Sequence, residues 1–350
     1  MTREDEAVLT ETHVDAFAPA VSVVVPAYNV ARYIAEALDS VFAQTFRDFE
    51  VIIVNDGSPD TVELERVLAP YLPRIVYLKQ SNRGPSAARN TGINAARGRY
   101  VALLDADDSW LPDYLAEQTR ALEAQPGLDL IYSDALLFGE GEGAGSTFMK
   151  TYPSRGPVTV ESLLVQTCAV ITSCVVARRE AFVAAGLFDE RYRRVEDFQL
   201  WVRMAHGGAR LGYQRKVLAR HRVRPDSLAG DPTVMHECGI VVYKDLSNEL
   251  ELTPSQRALV EGEIEKYESY LALARGKNAL AAGEYERAAS ELSRARALQR
   301  TAGLDGLKLG LTLLCLRMAP GLARRFYLKR GWEARANGAS EAKTDVGITL

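Results

Sequence analysis

Asp105, Asp107 and Asp108 lie within four positions, directly after the apolar run at residues 101–104. Carboxylates this close repel one another unless something positive sits among them. Hard oxygen donors suit Mg²⁺ or Mn²⁺, and such an ion is often shared with a phosphorylated ligand. A plainer reading stands beside it, since Asp and Ser ahead of Pro112 are ordinary helix-start signals. Further polar candidates follow other apolar runs: Tyr28 and Asn29 after residues 21–25, and Asp56 after residues 50–54. Arg83 and Arg89 flank a Gly-Pro step that opens a helix, and guanidinium groups and helix N-termini both attract phosphate. A solvated helix face would account for Arg89 equally well. Glu196 and Asp197 open another helical pattern, where they favour the start of the helix through its dipole.

The elements that must position these residues are legible from periodicity. Residues 21–25 form a β-branched run ended by Pro26, the signature of a buried strand. Asn29 is placed to cap the next helix, whose apolar face is Val30, Ile34, Ala37, Leu38 and Val41. Strands are expected at 50–54, 75–78, 100–104, 128–132 and 172–177. Helices are expected at 85–97, closed by Gly98, and at 112–125, 179–185 and 196–205. Strand and helix alternate, which is the order of a mostly parallel α/β sheet with helices on both faces. In such a sheet the strand ends share one edge, so the three polar clusters meet there. Beyond residue 232 the pattern is almost wholly helical.

The chain has 350 residues, 47% hydrophobic and 25% charged, with a formal net charge of −4. It can bury a sizeable core, and no global basic field marks a nucleic-acid partner. Its four cysteines carry no C-x-x-C pair, which suits a reducing compartment without a zinc site. No secretory signal is expected, because residues 1–20 are acidic and lack an apolar stretch. The apolar run 309–316 is far shorter than the roughly 20 residues a membrane-spanning helix needs.

Residues 21–29 (VSVVVPAYN), 54–58 (VNDGS), 82–92 (NRGPSAARNTG) and 104–108 (LDADD) together resemble the family 2 glycosyltransferases. The likeness covers about residues 20 to 225. It implies a GT-A, Rossmann-like domain over 20–231, with a nucleotide-sugar half at 20–135 and an acceptor half at 136–231. A flexible tail at 1–19, a helical region at 232–334 and a disordered end at 335–350 complete the expected plan. The resemblance implies a nucleotide-sugar donor, expected to be a UDP-sugar, held by Pro26, Tyr28, Asn29, Asp56, Arg83, Arg89, Asp105 and Ala106. It assigns Mn²⁺ or Mg²⁺ to Asp107 foremost, with Asp105 and Asp108. His221 is a further metal candidate, and an exposed basic strand explains it as well.

On the acceptor side, residues 186–191 (GLFDER) and 195–201 (VEDFQLW) are similar to the family's pattern. Asp197 is then the expected general base, beside Glu196 and Trp201. No Q-x-x-R-W motif follows, so single addition is expected rather than polymerisation. The implied acceptor is a saccharide or lipid-linked saccharide of the cell envelope. A sugar nucleotidyltransferase is disfavoured because Pro26 to Asn29 lack the glycine-rich loop it needs. A catalytically inactive scaffold that binds partners through its helical tail is the alternative, disfavoured by the intact carboxylates.

In the helical region, residues 279–298 resemble one tetratricopeptide-like hairpin with Gly283 at its turn. Residues 309–332 mix apolar and basic residues, either as an interfacial helix on an anionic membrane or as a packed terminal helix with a basic edge. The expected location is cytoplasmic, with peripheral contact at the inner face of the cell membrane, and a homo-oligomer is among the expected assemblies.

Overall fold

The computed structural model describes residues 18–140, 143–224, 231–298 and 304–325. Most of the expected tail (1–17) and all of 335–350 lie outside the described residues. Two compact units are present, Met1–Pro225 and Asp226–Leu350.

The first unit alternates β1 (Val21–Ala27), α1 (Ile34–Phe42), β2 (Phe49–Asp56), α2 (Thr61–Leu68), β3 (Val76–Gln80), α3 (Pro85–Ala95), β4 (Tyr100–Leu103), β5 (Ser109–Trp110), α4 (Tyr114–Ala124) and β6 (Leu130–Gly139). It continues through α5 (Phe148–Thr151), α6 (Val160–Leu164), β7 (Val175–Arg178), α7 (Arg179–Ala184), α8 (Glu196–His206) and β8 (Leu211–Val223). One sheet runs β3-β2-β1-β4-β7-β6-β8-β5. β1 pairs in parallel with β2 on one side and β4 on the other. Val23, Val24, Ile52, Ile53, Val101 and Leu103 are fully enclosed, as expected for strands covered on both faces. The register sets Ala27 opposite Asn55 and Val24 opposite Leu103. The segments that follow β1, β2 and β4 therefore leave from one edge, where the chain order of the strands diverges from β1, which is where open α/β sheets hold ligands.

Several element boundaries depart from the sequence expectation. Asn29 does not cap α1: it takes φ +55°, and the helix begins five residues later behind Tyr33. α3 stops at Ala95, so Gly98 is not its cap. A Cβ on Gly98 would lie 2.6 Å from the Ser22 backbone nitrogen, so the glycine there permits close approach to β1. β6 runs on to Gly139 because the long strand β8, of which only the end near His221 was expected as strand, pairs with it along its whole length. Thr172–Cys174, expected as strand, is a 3₁₀ turn entering β7.

The second unit is helical: α9 (Pro232–Glu249), α10 (Pro254–Ala282), α11 (Tyr285–Leu298) and α12 (Leu304–Met318). Asp231 caps α9, and a Thr253/Gln256 capping box opens α10. Gly283 takes φ +84° and turns α10 into α11. A Cβ on Gly276 would lie 2.7 Å from Leu292, so a small residue is required where these two helices touch. Ala272, Leu280, Ala288, Leu292, Leu313 and Leu316 form their shared core. Among the described residues no helix is long and apolar enough to cross a membrane.

Candidate active site

The β2 end is built around Asp56. Its carboxylate accepts the Gln80 side-chain amide at 2.7 Å and the backbone N–H groups of Arg83 and Gly84 at 2.9 and 2.8 Å. Gly57 beside it has φ +60°, and a Cβ there would press to 2.6 Å from the Asn82 nitrogen. The β1 end is tied to the same loop, since Asn29 N–H donates to Ser58 Oγ at 2.7 Å and Ala31 N–H to Asp60 at 2.8 Å. Tyr28 is left half-exposed (50%) over this rim.

At the β4 end Asp107 and Asp108 meet basic groups at the end of β8 and just past it. Asp108 is 1% exposed: one oxygen is 2.9 Å from His221 Nδ1, and the other accepts the Arg222 N–H at 2.7 Å. Asp107 accepts from Arg224 Nε at 2.8 Å. Burial and then the charges of Asp108 and Asp105 still push its carboxyl up to about 6, against Arg224 and His221. Burial works against a charged His221, but Asp108, Asp105 and Asp107 outweigh it and raise the imidazole to about 9. The self-repulsion of the acidic trio is thus real, and β8 supplies part of its compensation.

A second set of contacts ties this edge to α8. Arg89 on α3 donates to Asp105 Oδ1 and to Glu196 Oε1, each at 2.7 Å, while its plane lies over Phe188. Burial disfavours its charge, yet the two carboxylates hold it firmly protonated. Burial pushes the Glu196 carboxyl up, opposed by Arg89 and assisted by Asp197. The Thr172–Cys174 turn makes a parallel connection: Ser173 Oγ accepts the Asp105 N–H at 3.1 Å, and Thr172 Oγ1 donates to Asp197 Oδ2 at 2.8 Å. Val195, which precedes Glu196, takes φ +61°. A β-branched residue in that region is strained, a condition that clusters at functional sites.

The family model for glycosyl transferase family 2 matches residues 22–182. The amylovoran biosynthesis glycosyltransferase AmsB of Erwinia amylovora is 33% identical over 211 residues, which cover 57% of this chain and 67% of AmsB. The chain belongs to glycosyltransferase family 2. Two solved structures share its fold. A mannosyltransferase of Pyrobaculum calidifontis in complex with GDP-Man and Mn2+ superposes with a TM-score of 0.59 at 19% identity, over 92% of this chain and 87% of that one. S. aureus TarS 1-349 in complex with UDP-GlcNAc gives 0.56 at 18%, over 93% and 94%. Among relatives from Rickettsia the matched stretch spans between 29% and 81% of their own length.

In this family 2 domain a divalent ion would meet a limited donor set. Asp105 Oδ2 and Asp107 Oδ1 make no hydrogen bond among the described residues, so two hard oxygens remain available. No three acidic, thiol or imidazole side chains converge into a metal-holding group among those residues. The set fits an ion that shares one or two carboxylates with a bound diphosphate, and does not fit an all-protein cage.

The structure brings Pro26, Tyr28, Asn29, Asp56, Asp105, Ala106 and Asp107 to one edge, with Arg83 at the exposed rim. Other expectations need correction. Trp201 is not on an acceptor surface: it is 1% exposed and packs on Phe182 and Phe188, because the apolar side of α8 faces the core. Arg89 does not face phosphate, since it is buried between two carboxylates. Asp108 is enclosed, with one protein contact on each oxygen, and His221 is engaged with Asp108. Glu196 is buried against Arg89, while the neighbouring Asp197 stays partly open. Thr172 and Ser173 escaped the sequence reading: each touches the site through a contact more than 20 residues distant in the chain, and neither sits in a local pattern.

Proposed function

We propose that the chain transfers a sugar from a nucleotide-sugar to a hydroxyl of a saccharide or lipid-linked saccharide, with inversion at the anomeric carbon, in polysaccharide or glycan assembly. The observation that carries this reading is the shared anchorage of Asp105 and Asp197 on the Thr172–Cys174 turn, which sets a carboxylate near the polar strand ends without burying it. Thr172 and the Phe198 N–H both donate to Asp197, and so fix the direction in which its carboxyl group points. Asp197 takes the proton of the acceptor hydroxyl as that oxygen attacks the anomeric carbon. The bond from that carbon to the diphosphate oxygen breaks on the opposite face.

Asp56 has one acceptor position beyond its three protein donors, and a uracil N–H suits it. On this reading the donor is a UDP-sugar. Asp107 and Asp105 hold Mn²⁺ or Mg²⁺, whose charge, when bound, offsets that developing on the departing diphosphate. The name of AmsB supports polysaccharide biosynthesis. The GDP-Man and Mn2+ of the mannosyltransferase and the UDP-GlcNAc of TarS support a nucleotide-sugar donor and a divalent ion. Calorimetric titration of UDP-GlcNAc and GDP-mannose, with and without Mn²⁺, tests the donor side. Mn²⁺-dependent binding of the UDP-sugar supports the reading, and the absence of binding by either sugar under both conditions defeats it.

A further inference from the structure

α12 is apolar on two opposite sides. Leu313 and Leu316 face inward and join the core of Ala288, Leu292 and Ala295. The opposite side carries Leu311 and Leu314, 56% and 53% exposed, and Met318 at 78%. Just past the helix, Leu322 is 68% exposed. A helix that is apolar all round is ordinarily covered on all sides. Here one side is covered by α10 and α11, and nothing among the described residues covers the other.

The charge of this stretch of sequence points to the occupant of the face. Residues 306–332 contain Lys308, Arg317, Arg324, Arg325, Lys329 and Arg330 and no Asp or Glu. Arg317 and Arg325 make no ion pair among the described residues, and both are exposed. A second copy of the chain docked through the same face would set these cations against their own duplicates, which costs free energy. A neutral apolar partner would leave them without a counterpart. A bilayer carrying anionic headgroups meets both demands, because acyl chains take the leucines while phosphates take the guanidinium groups.

We infer that the Leu311/Leu314/Met318 face of α12, with Arg317 and Arg325, seats this unit on an anionic lipid surface. The inference stands apart from the proposed sugar transfer, since it concerns binding alone. Co-flotation of the full-length protein with vesicles tests it, using phosphatidylcholine alone and phosphatidylcholine mixed with phosphatidylglycerol. The protein floats with the mixed vesicles and not with the neutral ones, and raising the salt releases it. Leu311→Asp with Leu314→Asp weakens flotation about tenfold or more, and Arg317→Glu with Arg325→Glu does the same. Leu311→Ser with Leu314→Ser gives a milder loss, and an unchanged melting temperature in each variant shows that the fold is kept. The inference is overturned if the wild type fails to float with anionic vesicles, or if the leucine variants float as well as it does. It is also overturned if light scattering shows these substitutions abolishing a stable dimer while lipid binding persists.

Discussion

Glu196 Oε1 and Arg89 Nη1 stand 2.7 Å apart with both side chains almost wholly out of water. The same guanidinium holds Asp105, so one cation from α3 joins the acidic β4 end to the first residue of α8. Removing one partner of a buried pair strands the other charge, and this costs more than the pair contributes.

Arg89→Met should therefore destabilise the protein by about 3–5 kcal/mol, as an uncompensated buried charge does. Arg89→Met combined with Glu196→Gln should recover part of that loss. Chemical denaturation of the two single variants and the double variant measures the coupling. Strict additivity would show that the two side chains do not communicate.

Asp197→Asn keeps the size of the side chain and removes its basicity. Transfer should fall by roughly 10²–10⁴-fold, the usual contribution of a positioned base, with donor affinity close to wild type. Loss of donor affinity together with turnover would assign Asp197 a structural role. Thr172→Val should give a smaller loss in the same direction, because Asp197 keeps its bond to the Phe198 N–H.

Arg224 is paired with Asp107, so under the proposed function it would compete there with a divalent ion. Arg224→Gln should strengthen the binding of Mn²⁺ alone, by several-fold for an exchange worth about 1 kcal/mol. Asp107→Ala should abolish Mn²⁺-dependent donor binding. Paramagnetic resonance of free Mn²⁺ reads both effects, and weaker Mn²⁺ binding by the Arg224 variant would contradict the competition.

His236 is buried on α9 among Tyr267 and Tyr270, with ring centroids at 5.7 and 5.5 Å. Burial holds its pKa below the ordinary 6.5. The unfolded chain then binds the proton more readily, so this residue's contribution is fully present above pH 6.5 and is lost as the pH falls toward the folded value. His236→Phe should melt at a temperature that gains on the wild type as the pH drops below 6.5. A difference that stays constant with pH would show that His236 does not titrate on unfolding.

Much of the donor-side edge was legible before any coordinates. β1, β2 and β4 are enclosed over most of their length, so their residues had to be mainly apolar, and the polar residues at their ends stood out. Trp201 shows where such reading stops. An aromatic residue one turn after Glu196 and Asp197 has the same local pattern whether it faces a ligand or the core, and only the packing of α8 on Phe182 and Phe188 distinguishes the two. Gly98 is similar: a glycine after a helix suggested a cap, whereas the close approach of Ser22 is what requires it.

The sequence alone determined the family, the alternation that makes an α/β sheet and the identity of the acidic trio, because these depend on residue type and on spacings of a few positions. Tertiary structure alone decided which of those acids are free. Asp108 meets His221 across 113 positions and Asp197 meets Thr172 across 25. Hydrogen bonds and charge act over a few ångströms of space, and no periodicity along the chain records which distant residues the fold will bring within that reach.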